Sequence, residues 1–381
     1  MLRDVKVLSE IRLSKSCIGE AEKLAVNRVL DRGFLGMGQE VKTFEDSLTE
    51  FFGRPALCVV NGTAALHLAL QAVGVGHGDE VLVQSLTYVA SFQAISATGA
   101  KPISCDIIAT TVGIDLSDAK RKITSRTKAI MPVHYAGGVG DLDAIYDFAD
   151  THGLRVIEDA AHAFGTTYKG KKVGAIGDIA CFSFDGIKNI TSGEGGCVVT
   201  DDQIILERIR DSRLLGVQRD TDKRFSGERS WDPDVSYQGW RYHMSDIMAA
   251  IGKEQLRNFD FHKTRRQALA KCYVTHLSEI PSISIFHHDY DNVVPHIFVI
   301  LLAEGCDRAS LIKFLAENGI PVGIHYKPNH LLSYFSDNVE QNLPTTDMLH
   351  PRILTLPLHP ELLESDIEFI VRLVRKGVNR D

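Results

Sequence analysis

The stretch CFSFDGIKNITSGEGG, residues 181–196, decides how this chain is read. Its first four residues, Cys181-Phe182-Ser183-Phe184, form an apolar run of the kind that makes a fully buried strand. Beyond the run stands one ammonium group, Lys188, and then a glycine-rich turn. A lone lysine past a strand is most often a surface residue whose stem lies on apolar neighbours while its head stays in water. Lysine also has a property that arginine lacks: in a site that disfavours its charge it loses the proton and becomes a nucleophile. The flanking sequence has to decide between the two.

Working outward, the quoted run belongs to DIACFSF (178–184), one of seven short β-rich segments. The others are ALCVVN (56–61), EVLVQS (80–85), KPISCDI (101–107), KAIMPVH (128–134), LRVIEDA (154–160) and GCVVTD (196–201). The early ones alternate with helical segments such as TAALHLALQAVG and DLDAIYDFADTHG. This pattern predicts an α/β protein whose large domain holds a mostly parallel seven-stranded sheet covered on both faces. Ligands of such sheets bind beyond the carboxyl ends of the strands. Asn61, Ser85, His134, Asp159 and Phe184 are therefore the strand-end candidates.

After residue 201 the texture changes. Residues 211–240 are polar and irregular and read as a long surface excursion, and MSDIMAAIGKEQL (244–256) reads as a helix. A strand PHIFVILLA (295–303), a helix ASLIKFLAENG (309–319) and a terminal amphipathic helix ESDIEFIVRLVRKGV (364–378) predict a smaller α+β domain. The expected division is 1–250 and 251–381.

Bulk properties narrow the function. The 381 residues suit two unequal domains, and 44% hydrophobic with 24% charged residues is ordinary globular composition. A net charge of −7 argues against a nucleic-acid footprint spread over the surface, while leaving room for an anionic small molecule. The start, MLRDVKVLSEIRLSKS, lacks the apolar core of a signal peptide, and no run approaches the ~20 apolar residues of a membrane helix. The seven cysteines are scattered and never in a C-x-x-C pair, which reads as reduced thiols in the cytoplasm rather than disulfides or zinc. The histidines show no metal-ligand spacing, so no metal is expected.

Two further segments carry chemistry. In VVNGTAALHLAL (59–70) a strand turns through Asn61-Gly62-Thr63 directly into a helix. The backbone N–H groups at that helix start are unpaired and the dipole is positive there, which suits an anion. Gly62 lets the backbone approach closely; the Thr63 hydroxyl adds a donor or simply caps the helix. In VIEDAAHAFG (156–165), Asp159 stands at a strand's carboxyl end before two alanines. The small residues suit a flat molecule packing there, and a cap or an ion-pair partner is the plainer reading of Asp159. A pyridoxal phosphate (PLP) enzyme needs a lysine for the Schiff base, an acid for the pyridine nitrogen and an anion site for the phosphate. Thr63, Asp159 and Lys188 offer all three in order, with the lysine 29 residues past the acid.

Taken together, NGTAAL, GDEVLVQSLTYVA, IEDAAHAFG, FSFDGIKNITSGEGG, MSDIMAAIGKEQL, GIHYKPNH and LPLHPEL resemble the DegT/DnrJ/EryC1/StrS family. Its members are sugar aminotransferases with the aspartate-aminotransferase fold (fold type I), and the likeness runs from about residue 12 to the end. The resemblance implies that Lys188 binds the cofactor and later moves the proton, and that Asp159 keeps the pyridine nitrogen protonated. It implies Gly62, Thr63 and Ser183 for the phosphate, Tyr88 for stacking on the ring, and Ala161 for leaving room on the other face. His162 stands where many relatives carry Gln near the phenolic oxygen. Asp185, His325 and Tyr326 match positions that face the sugar nucleotide.

One motif departs. WRYHM (240–244) stands where relatives read YNYRM, whose Asn crosses the dimer interface to the neighbour's phosphate. Arg241 takes that place and serves either the phosphate or the substrate's diphosphate. Sugar 3-dehydratases of the family carry His where Lys188 stands, so the lysine implies a transaminase. The resemblance thus implies a cytoplasmic homodimer with active sites at the interface. It would move an amino group from an amino acid, L-glutamate, to the keto group of a nucleotide-linked keto-deoxysugar. A keto-cyclitol aminotransferase and a catalytically retired, PLP-responsive regulator are the alternatives.

Overall fold

The computed structural model describes residues 11–228, 232, 234–286, 288–336 and 342–379. Residues 1–10, on which the reading of the chain's start partly rests, lie outside them. The seven strands are β1 (Ala56–Val59), β2 (Glu80–Gln84), β3 (Lys101–Cys105), β4 (Thr127–Met131), β5 (Arg155–Asp159), β6 (Ile179–Ser183) and β7 (Gly196–Val199). They form one sheet in the order β1-β7-β6-β5-β4-β2-β3. From β6 to β3 all pairings are parallel, and β7 runs antiparallel to both β6 and β1. Strand β1 therefore points the same way as β6. The carboxyl ends of β1, β2, β4, β5 and β6 share one edge of the sheet.

The apolar runs lack a polar face because both sheet faces are covered. Val83, Met131, Ile157 and Cys181 pack on one side with Leu66, Ala69 and Phe92, from the helices Gly62–Ala72 and Val89–Ala97. Their neighbours Leu82, Ile130 and Val156 pack on the other side against Leu142 and Ile145. Further along that side, Cys58, Phe182 and Val199 meet Phe44, Leu48 and Phe164. A slip of one residue would exchange the two faces, so register is tightly specified.

The helix expected over 244–256 spans Asp246–Arg257, capped by the Ser245 hydroxyl, which accepts from Met248 N–H. Its buried residues include Ala249, Ala250 and Gly252, whereas the larger Ile247, Met248 and Ile251 are only partly buried. The reason is close packing. A Cβ on Gly252 would lie 2.6 Å from the Phe44 ring, so small residues must face inward.

A second core lies around the antiparallel strands β8 (Ile283–Ile285), β9 (Phe298–Leu302) and β10 (Ile353–Leu356). The helices Phe259–Leu277, Arg308–Glu317 and Glu364–Val378 cover it through Leu269, Tyr273, Leu315, Ile370 and Val374. Ile11 packs on the same core, and Leu13 O accepts from Leu358 N–H at 3.0 Å. Among the described residues no helix is long and apolar enough to cross a membrane. All seven cysteines are free thiols.

Candidate active site

At the shared carboxyl edge, β6 runs out through Ser183 into a tight turn in which Asp185 O accepts from Lys188 N–H at 3.0 Å. Asp185 Oδ1 accepts from Ile187 N–H at 3.2 Å, so the turn braces itself and presents the lysine. The glycine-rich segment beyond serves this geometry. A Cβ at Gly196 would lie 2.7 Å from the Asn61 carbonyl and from Phe182 O, so only glycine lets β7 start between the ends of β1 and β6.

Lys188 projects into a cavity of about 470 Å³ lined also by Gly62, Thr63, Tyr88, Asp159, His162, Ser183, Asp185, His325 and Tyr326. The topology thus brings every predicted site residue except Arg241 to one place. Arg241 is exposed, bridges Leu214 through its backbone, and does not line the cavity of its own chain. Of the other strand-end candidates, His134 and Ser85 are buried in the protein's own hydrogen bonds. His134 Nε2 lies 2.7 Å from Glu158 Oε2, and Ser85 Oγ 2.7 Å from His330 Nδ1. Phe184 is core.

The cap of the helix Gly62–Ala72 is Asn61, whose side chain accepts from Ala64 N–H at 2.8 Å. Thr63 is therefore not the cap; it is exposed on the cavity wall. A Cβ at Gly62 would lie 2.8 Å from Ser183 Cβ, so the helix start and the end of β6 form a cradle that only glycine allows.

Asp159 is buried, and its carboxylate is fixed twice: Oδ2 accepts from Ser91 Oγ at 2.7 Å and Oδ1 from Ala161 N–H at 3.2 Å. Ser91 sits three residues past Tyr88, on the helix Val89–Ala97 that Tyr88 precedes. The Tyr88 ring stays 55% exposed at the cavity, 5.4 Å from the ring of Tyr326. Burial, then Lys188 and His325, hold His162 well below its ordinary value, so the ring is neutral. Its Nδ1 accepts from Ala136 N–H at 3.3 Å, which places the ring proton on Nε2, 3.1 Å from Tyr326 Oη. Tyr326, its pKa raised by burial, keeps its phenolic proton for an acceptor elsewhere.

Removal from water pulls Lys188 down from 10.5 to about 8, against Asp159 and Asp185, which favour the ammonium. Its Nζ meets His296 Nε2 at 3.3 Å. His296 was not singled out from sequence. The strand-end rule looks beyond carboxyl ends, and His296 lies just before the amino end of β9. Glu194, also unmarked, lines the cavity from inside the opening stretch; burial and the nearby Asp185 raise its carboxyl pKa.

The donor set suits PLP on its own chemistry. It offers a helix start with a glycine cradle for a phosphate, a doubly held buried carboxylate, a ring and small residues for a flat aromatic, and an amine of lowered basicity. Sheet order and site together define a fold type I PLP-dependent transferase.

The DegT/DnrJ/EryC1/StrS aminotransferase family profile matches residues 16–375. The spore coat polysaccharide biosynthesis protein SpsC of Bacillus subtilis (strain 168) is 38% identical over 367 residues, 94% of each chain. PseC of Helicobacter pylori, an aminotransferase involved in the biosynthesis of pseudoaminic acid, superposes with a TM-score of 0.91 at 27% identity, covering 97% of this chain and 99% of its own. Spr1654 from Streptococcus pneumoniae in its PLP form gives a TM-score of 0.90 at 29% identity, covering 97% and 98%. The chain belongs to the DegT/DnrJ/EryC1/StrS aminotransferase family, and with it to the PLP-dependent sugar aminotransferases.

Proposed function

We propose that this enzyme transfers an amino group from L-glutamate to the keto group of a nucleotide-linked keto-deoxysugar. The observation that carries the reading is the placement of Lys188. One amine of lowered basicity lies in the same cavity as the buried Asp159, the Gly62–Ser183 cradle and a polar wall of Asp185, His325 and Tyr326. The similarity to a spore coat polysaccharide protein supports a product that enters a glycan.

In this reading Gly62, Thr63 and Ser183 would hold the phosphate, and Tyr88, Ala161 and His162, which line the same cavity, would hold the ring. When bound, the cofactor supplies an electron sink for the carbon that loses its proton. Asp159, oriented by Ser91, would keep a proton on the pyridine nitrogen. Lys188 would anchor the cofactor, and with its lowered basicity its Nζ would accept and return a proton for the substrate. Tyr326, whose oxygen is occupied by His162 Nε2–H, has its own O–H to direct toward substrate. Arg241, exposed outside its own chain's cavity, fits a phosphate or diphosphate contact made across a homodimer interface. Seven free thiols suit work in the cytoplasm.

Purified protein should absorb near the visible edge, lose that band on addition of glutamate, and show neither property as Lys188→Ala. A colourless wild type that ignores added PLP would overturn the reading. Turnover of keto-cyclitols in preference to keto-sugar nucleotides would overturn the substrate class.

A further inference from the structure

Behind Lys188 lies a side chain that the mechanism above does not use. Arg266, on the helix Phe259–Leu277, is only 2% exposed. Its Nη1 donates to Pro295 O at 3.4 Å and His296 O at 3.1 Å, and its Nη2 to Ile187 O at 3.4 Å. Its Nε is buried without a partner. Among the described residues these bonds all go to backbone carbonyls and none to a carboxylate. A buried cation without a counter-ion costs several kcal/mol, and an apolar side chain of similar volume would fill the space without that penalty. The two segments it joins are the two that flank the catalytic amine. Ile187 is the residue before Lys188, and His296 is the residue whose ring meets Nζ.

We propose that Arg266 is a positioning residue for Lys188, a buried cation that clamps the lysine's turn to the His296 segment and sets positive charge behind the amine. The proposal rests on the reading of Lys188 as the amine that anchors the cofactor. The charged and titratable groups acting on Nζ come from several elements. Asp159 at the end of β5 and Asp185 on the lysine's own turn draw it toward the ammonium, whereas Arg266 opposes them. His162, His296 and His325 face the same amine, and burial keeps all three neutral. With neutral imidazoles, the guanidinium, which burial lowers to about 10 but which stays charged near neutral pH, adds to desolvation in opposing the two carboxylates. A nucleophile needs a free lone pair near neutral pH, and this charge helps to supply it.

The test uses the full chain freed of cofactor. Cyanate is added between pH 6 and 10, and carbamylation of Lys188 is followed by mass spectrometry of its peptide. Arg266→Met removes the charge and keeps the bulk, and Arg266→Lys keeps the charge and loses the fork. The wild-type profile should have its midpoint near pH 8. Arg266→Met should move it up by about half a unit, and Arg266→Lys should stay near the wild type. At pH 7 the rate at which added PLP restores the visible band should fall about threefold in Arg266→Met. Arg266→Gln stands in if the Met variant does not fold. A neutral variant that titrates like the wild type, or a Lys variant that shifts as far as the Met variant, overturns the proposal. Lys188→Ala separates the underlying reading. If it retains the visible band, the anchoring role of Lys188 fails, while the carbamylation profiles still report on Arg266.

Discussion

Replacing Lys188 by Met should stabilise the cofactor-free protein at neutral pH while abolishing catalysis. The folded site lowers the lysine from 10.5 to about 8, chiefly by removing it from water. Below pH 8 both folded and unfolded chains carry the ammonium, and the penalty of holding that charge in the site is fully present. Between 8 and 10.5 the folded chain has released the proton and the unfolded chain still binds it, so wild-type stability rises with pH across that window. At 1.36 kcal/mol per unit the penalty is about 3 kcal/mol at pH 7 and about 1.5 kcal/mol at pH 9.5. Solvent at the partly exposed lysine trims the first figure toward about 2 kcal/mol. Urea unfolding of the two cofactor-free proteins at both pH values measures the difference. A variant no more stable than wild type at pH 7, or a gain that does not shrink by pH 9.5, would refute the argument that the site disfavours the lysine's charge.

Gly62→Ala places a methyl 2.8 Å from Ser183 Cβ and 3.3 Å from its Cα. The strain should lower stability by about 1–3 kcal/mol and weaken PLP at least tenfold, read by melting temperature and by titration of the visible band. Ser91→Ala removes the donor 2.7 Å from Asp159 Oδ2, and hydrogen bonds to charged groups contribute about 1.5–3 kcal/mol. Its half-reaction with glutamate should slow ten- to a hundredfold in stopped flow, with the visible band retained. Tyr326→Phe leaves the buried His162 Nε2–H, now 3.1 Å from the phenol oxygen, without an acceptor. It should lose about 1–3 kcal/mol of stability and more kcat than KM with the keto substrate, measured by unfolding and steady-state kinetics.

The strands were legible because a sheet covered on both faces leaves continuous apolar runs, and those runs, from Ala56–Val59 to Gly196–Val199, need no distant information. Their order was not. β7 inserts antiparallel between β1 and β6, where a Cβ at Gly196 would lie 2.7 Å from the Asn61 carbonyl, over a hundred residues away in the chain. The helix over 246–257 was legible as a helix but not in its inward face, because Phe44 requires glycine at 252.

The site divides the same way. Lys188, Asp159 and Thr63 could be marked from the chain only as a set, an amine beyond a strand, an acid at a strand end and a hydroxyl at a helix start, since each alone has a plainer reading. Their convergence on one cavity is a property of sheet direction. His296 and Arg266 carry no local signal, because a histidine before a strand and an arginine within a helix are unremarkable in sequence. The amino-acid order was enough to name an amine that wants to be neutral. Only packing, which buries that amine between two carboxylates and a guanidinium drawn from separate parts of the chain, sets how neutral it is.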